Sequence, residues 1–151
     1  MISPHNLIQE QQLGKPYAPW RILVVCALLN RTHGRQVRPM IDKLFELCPS
    51  PTAMVERAKS EEVMTLLRPL GFVNRRTDSL KRMSQDYNVL TNCSWKWQSS
   101  NWTYDVHGCG QYARDSINIF IYGQTAAVTT DTWLNKYLEW KRAQNEVANC
   151  A

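Results

Sequence analysis

The sequence contains no Cys-x-x-Cys pair, no apolar run long enough to cross a bilayer, no tract of one charge and no convincing strand pattern. Each absence removes a class of protein. The cysteines, Cys26, Cys48, Cys93, Cys109 and Cys150, are odd in number and widely spaced. They support neither a zinc site nor an iron–sulfur cluster, and they fit the reduced thiols of a cytosolic or nuclear protein. Asn30, Asn92 and Asn101 each begin an Asn-x-Ser/Thr triplet. No apolar signal segment follows Met1, so these triplets read as chance rather than as marks of secretion. Ile22 to Leu29 is too short to span a membrane. No internal repeat or low-complexity tract is present.

What remains is a chain of 151 residues with a formal charge of +5. That length fits one domain, residues 1–151, with a core that needs no disulfides. The positive balance favours a polyanionic partner. Residues 1–18 are polar and carry Pro4, Gly14 and Pro16, as an ordered or half-ordered arm would. Pro19 suits the start of a helix, and Trp20 to Leu29 is apolar almost all round, so this helix belongs at the centre. Polar residues Asn30 to His33 and a stop at Gly34 should end it. Val37, Met40, Ile41, Leu44, Phe45 and Leu47 then recur at three- and four-residue steps, the stripe of a second helix. Ser50-Pro51 and Ser60-Glu61-Glu62 open two short helices with caps and favourable charge. Arg75 to Asn88 is amphipathic, with Leu80, Met83 and Tyr87 inward. Residues 91–104 are rich in tryptophan among polar residues and read as a loop with aromatic anchors. A helix from Gln111 to Tyr122 and a last one from Asp131 to about Val147 complete an all-α fold.

Two features could carry chemistry. In Val106-His107-Gly108-Cys109-Gly110-Gln111-Tyr112, a Gly-x-Gly turn opens a helix. Glycines let backbone amides approach a ligand closely, and the helix N-terminus adds partial positive charge, a niche suited to phosphate. The ordinary alternative is a tight turn between helices. Asp131, among Thr129, Thr130 and Thr132, sits at the start of the last helix, where the dipole favours the ionised carboxylate. By itself it could simply be a stabilising acid in a first turn. Together with a held phosphate, it could stabilise positive charge on a sugar or orient water.

These motifs resemble the helix-hairpin-helix DNA glycosylases of the endonuclease III superfamily. Thr130-Asp131-Thr132-Trp133 is similar to the signature around that superfamily's catalytic aspartate. Asn6-Leu7-Ile8-Gln9-Glu10, Leu29-Asn30-Arg31-Thr32, Arg68-Pro69-Leu70-Gly71, His107-Gly108-Cys109-Gly110-Gln111-Tyr112 and Leu134-Asn135-Lys136-Tyr137 occur in the order found in the methyl-CpG-binding, mismatch-specific thymine glycosylases. They reach from residue 6 to 137 and so cover nearly the whole chain.

The resemblance implies that Asp131 is the catalytic carboxylate and that Tyr112, Gln9 and Ile8 line a base pocket to which the N-terminal arm contributes. Arg31, beside Asn30, would fill the gap left by an extruded nucleotide, and Leu70-Gly71-Phe72 would wedge the opposite strand. His107, Gly108, Cys109, Gly110 and Gln111 would hold DNA phosphate, with room for a monovalent cation at the hairpin backbone. No other metal and no cofactor is implied. The partner would be double-stranded DNA carrying a mismatched or damaged base, met by a monomer without membrane attachment. Tyr112 stands where bifunctional members carry a Schiff-base lysine, and Lys136 should lie off the face that Asp131 presents. Water would then be the nucleophile and an abasic site the product.

Three positions depart from the pattern. Trp133 replaces a histidine or lysine, the Trp-rich link is longer, and Cys109 replaces a branched apolar residue. Removal of thymine or uracil opposite guanine, attack on modified or hypermodified pyrimidines, and noncatalytic DNA binding all remain open at this point. So do the plain alternatives of a surface Gln9, a solvated Arg31 and a Phe72 within the core.

Overall fold

The computed structural model describes residues 7–93, 101–125 and 129–150, without the Cys150 side chain. Trp95, Trp97, Pro4, Asn6 and the 126–128 link lie outside them. Among the described residues seven α-helices follow in order: α1 (Ala18–Leu29), α2 (Gly34–Leu47), α3 (Pro51–Arg57), α4 (Glu61–Leu67), α5 (Val73–Thr91), α6 (Gln111–Phe120) and α7 (Thr132–Cys150). Short 3-10 turns occupy Glu10–Gln12, Arg68–Leu70 and Trp102–Asp105. There is no strand among the described residues, as the sequence pattern requires.

α1 takes the central place that its all-round apolar character dictates. Trp20, Ile22, Leu23, Val24, Val25, Cys26 and Leu28 are buried, and α2, α5 and α6 pack against the helix. The Trp20 indole N–H would be costly to leave unpaired in that core, and it donates to Ser84 Oγ at 2.9 Å. On α2 the stripe Val37, Met40, Ile41, Leu44 and Phe45 is buried, and the helix continues through exposed Pro39. Ser50 and Ser60 cap α3 and α4 by accepting the N–H groups of Ala53 and Val63. Trp102 anchors the start of the link into the hairpin. Its ring is buried, its N–H donates to Tyr122 Oη at 2.7 Å, and it packs edge-on to Tyr87.

Helix ends shift by up to three residues from those read in the sequence, α5 running to Thr91, α6 stopping at Phe120 and α7 reaching Cys150, and three boundaries differ for a reason the backbone shows. Gly34 does not stop α1; it is the first residue of α2, behind a capping box made by His33 and Gln36. The chain leaves α1 instead through Arg31, whose φ of 61° is left-handed. α5 starts earlier than Arg75, because Phe72 at φ 51° turns the chain into it. The last helix starts at Thr132, with Asp131 outside it as its cap.

Arg31 and Phe72 both hold backbone conformations that cost a non-glycine residue about 1–2 kcal/mol each. Arg76 holds their two corners together. Its guanidinium donates to the carbonyls of Gly71 (2.9 Å), Asn30 (3.1 Å), Leu70 (3.4 Å) and Leu28 (3.5 Å). Only a forked donor can reach four carbonyls from two loops.

Two measurements test these constraints. Arg76→Ala should lose about 1.5–3 kcal/mol in urea unfolding, the range for hydrogen bonds from a charged group, and Arg76→Lys should recover little. An unchanged midpoint would show that the corners stand without the brace. At the hairpin, Gly108 has φ 79° and Gly110 an extended backbone with nothing within 4 Å of an added Cβ. Gly108→Ala should therefore cost about 1–2 kcal/mol. Gly110→Ala should stay within about 0.5 kcal/mol of the parent chain.

Candidate nucleic-acid interface and active site

The hairpin is built from three local features. Asp86, on α5, accepts the His107 N–H at 2.8 Å, and the Cys109 N–H closes a turn onto Val106 O at 3.3 Å. Gly108 supplies the left-handed residue between them. α6 then begins at Gln111 with no side chain capping it, so its first-turn N–H groups keep their donors. The amides of His107 and Cys109 are already committed, which leaves Gly108, Gly110 and the first turn of α6 for an anion. Cys109 packs its side chain on the core, and burial pushes its thiol up to about 12.

Asp131 is held with more bonds than a first-turn acid needs. Its Oδ1 accepts the Leu134 N–H at 2.8 Å and caps α7. Its own N–H donates to Thr129 Oγ1 at 3.1 Å. Thr129 is buried and is fixed in turn by Asn135, whose Nδ2 donates to the Thr129 carbonyl at 2.9 Å. Asn135 Oδ1 accepts the Thr129 N–H at 3.3 Å. One oxygen of Asp131 is thus occupied by the helix, and among the described residues the other has no donor. Asn135 belongs to a recognisable sequence block, yet the block alone assigns it no part in the site. An Asn four residues after a helix-opening acid is the one available signal.

A cleft of about 840 Å³ collects these groups. Ile8 and Gln9, Asn30 and Arg31, Phe72, Gly108 and Gly110, Gln111 and Tyr112, and Asp131 all line it, as does Trp133. Leu70, Gly71, His107 and Cys109 do not line it. Leu70 is buried in the core, so what projects from the Leu70-Gly71-Phe72 turn is Phe72, 63% exposed. The Gln111 side chain is bonded along its own helix, to Asp115 and Arg114. Arg31 lies exposed at the rim.

At the floor, the arm meets α6. Gln9 is fully buried and its Nε2 donates to Tyr112 Oη at 2.5 Å. Gln12 Nε2 donates back to the Ile8 carbonyl at 3.2 Å and keeps the arm folded down. Cys26 lies beside Gln9 and Ser116, and both oppose the rise of its thiol. Gln9 Oε1 and Ser116 Oγ are buried without a partner among the described residues. Burial, then the neighbouring Cys26 and Asp131, push the Tyr112 phenol upward against the opposing bond from Gln9. Tyr112 therefore keeps its proton at neutral pH. Burial likewise raises the Cys26 thiol to about 12, so it is an uncharged wall of the pocket.

Charge around the cleft is lopsided. Arg31, Arg35, Arg38, Arg75 and Arg76 line it, while Asp131 is the only carboxylate among the described lining residues and no lysine is among them. The ion pairs Lys43–Glu46 and Lys59–Asp78 involve none of these arginines. Arg35, Arg38 and Arg75 carry no signal in the sequence, since they lie in mixed-charge helices with no motif. Lys136 has its Nζ 5.0 Å from the Trp133 ring centroid.

Comparison with known proteins agrees with this geometry. Residues 24–148 match the family described as HhH-GPD superfamily base excision DNA repair protein. The methyl-CpG-binding domain protein 4-like protein of Arabidopsis thaliana is 38% identical over 143 residues, covering 93% of this chain and 29% of that protein. The thymine-DNA glycosylase of Aeropyrum pernix is 36% identical over 80 residues, covering 50% of this chain and 35% of that protein. The chain thus spans about a third of the length of these curated relatives. With a family match over most of its residues, the chain belongs to the HhH-GPD superfamily of base excision DNA repair proteins.

Proposed function

We propose that the chain is a monofunctional DNA glycosylase that extrudes thymine or uracil mispaired with guanine and hydrolyses its N-glycosidic bond. The observation that carries this reading is the lone carboxylate of Asp131 in an arginine-lined cleft beside the glycine hairpin. Arginines attract the duplex backbone, and the hairpin amides grip one phosphate. A mispaired base costs less to extrude, which favours it before any contact is made.

The floor has the polarity of a pyrimidine imide. Gln9 Oε1 is a buried acceptor awaiting a donor, and the Tyr112 hydroxyl keeps a proton to give. The ring N–H of thymine or uracil meets the first and a ring carbonyl meets the second. Cytosine presents a ring acceptor to Gln9 instead and leaves that oxygen without a donor. As the C1′–N1 bond breaks, its electron pair leaves with the base and the sugar becomes cationic. Asp131 stabilises that charge and orients water, whose oxygen bonds to C1′ and whose proton is lost. Tyr112 has no amine, and Lys136 stands against Trp133 outside the cleft, so no Schiff base forms and the strand stays intact.

A second reading, release of substituted pyrimidines, keeps the same cleft and residues and differs in the base removed. Both place DNA duplexes as the partner of a monomeric catalytic unit, working where cellular DNA is.

Duplexes with G·T, G·U, a 5-substituted pyrimidine opposite G, and a paired control separate these possibilities. G·T and G·U should release free base, breakage should require alkali, and borohydride should trap no covalent complex. Strand scission without alkali would overturn the monofunctional assignment, and release only from the substituted duplex would favour the second reading. The arginine rim has its own test. Replacing Arg35, Arg38 and Arg75 with glutamine should flatten log K against log salt by up to ~0.9 for each phosphate no longer neutralised, equally for mismatched and paired duplexes. An unchanged slope would remove the rim from the interface.

A further inference from the structure

The family resemblance allows a monovalent cation on the hairpin backbone, and the hairpin of this chain does not fit one. A cation there needs free carbonyl oxygens converging on the bend. Val106 O closes the bend by accepting the Cys109 N–H and keeps a second lone pair, so the apex carbonyl decides whether an ion can settle. The Cys109 carbonyl, at the apex between the two glycines, accepts Arg114 Nη1 at 2.8 Å. The same guanidinium stacks 4.3 Å from the centroid of the Tyr104 ring and donates through Nη2 to Gln111 Oε1 at 3.4 Å. An ion on the apex carbonyl would sit against a fixed positive charge.

The geometry points to Arg114 as a built-in cation: a positioning residue that ties the hairpin apex to α6 and supplies the positive charge there. Three features support this role. Arg114 lies on the first turns of α6, so its Cα moves with the helix whose N-terminus would meet phosphate, and its own N–H donates to Gly110 O at 3.1 Å. Tyr104 covers one face of the guanidinium and fixes its plane, a contact that strengthens when partly desolvated. Its Nε has no partner among the described residues, and its two Nη groups make the bonds to Cys109 O and Gln111 Oε1. Tyr104 is itself 64% exposed, so its stacking on Arg114 leaves it outside the core. A lone arginine in the middle of a helix carries no such meaning in sequence. Its bond to a carbonyl five residues earlier appears only once the bend is folded.

This inference rests on the hairpin's reading as a phosphate site for its DNA consequence, and on the fold alone for its stability consequence. Two readouts keep the dependencies apart. Binding of a fully paired duplex and the thermal midpoint are each measured in potassium, sodium and tetramethylammonium chloride at one ionic strength. For the parent chain, affinity should agree within about two-fold across the three salts, and the midpoint should not move. Arg114→Met keeps most of the volume and loses the charge and donors. It should bind about ten-fold more weakly in tetramethylammonium, the scale of removing one charge-assisted hydrogen bond. Potassium or sodium should restore most of that loss and raise the midpoint, because the freed Cys109 carbonyl can then take an ion. Arg114→Lys should fall between the two.

A parent chain whose affinity or midpoint collapses in tetramethylammonium would overturn the proposal, as would an Arg114→Met variant indifferent to all three salts in both readouts. If neither protein binds duplex in any salt, the phosphate reading fails, and the midpoints alone still decide whether Arg114 replaces an ion. Should Arg114→Met not fold, the parent chain's response to cation identity decides the matter.

Discussion

The buried hydrogen bond from Gln9 to Tyr112 joins residues 103 positions apart and determines what the cleft can be. It brings an N-terminal arm with little secondary structure of its own onto the first turn of α6, beside the hairpin. Ile8 and Gln12 follow it into the core. The arm it ties down supplies Ile8 and Gln9 to the lining of the cleft. With it, one buried acceptor and one retained hydroxyl proton lie together under the carboxylate. Loop closure over such a separation is entropically costly, and the apolar burial of Ile8 offsets part of it.

A second arrangement completes the cleft from the opposite side. Arg31 and Phe72 stand at corners whose backbones are left-handed, and the Arg76 guanidinium binds carbonyls of both. Strain held at exposed polar and aromatic residues is typical of sites that must meet a ligand in a fixed pose. The two residues that would enter a duplex are therefore set on one rigid element. The hairpin is braced in the same manner by Arg114. In each case an arginine fork satisfies carbonyls that irregular backbone would leave open. Asp131 is held by different means, with α7 on one oxygen and the Thr129–Asn135 pair behind its backbone.

Helices are legible in the sequence because their stripes are long and their caps explicit. Val37 to Phe45 and Leu80 to Tyr87 repeat at helical spacing, and Ser50 and Ser60 cap as serines before Pro or Glu should. The candidate site residues come by a different route, through short blocks that resemble a family's, and the structure brings Gln9, Arg31, Tyr112 and Asp131 into one cleft. Gly34 misleads because glycine before a helix and glycine after one look alike until the left-handed turn at Arg31 is known. Leu70 and Phe72 exchange weight because only the folded turn tells which of two apolar neighbours is buried. The bracing arginines, Arg76 and Arg114, are invisible: their partners are backbone carbonyls, which have no letter in the sequence.

The central claim is that the negative charge of Asp131, rather than its place in the fold, drives base release. Asp131→Asn isolates that charge, since asparagine caps a helix as well as aspartate and keeps the Leu134 bond. Single-turnover release of thymine from a G·T duplex, measured beside duplex affinity, gives the answer. Affinity should be unchanged and the rate lower by at least about 10²–10³, the scale of removing one transition-state electrostatic interaction. Release within about ten-fold of the parent rate, at equal affinity, would contradict the claim.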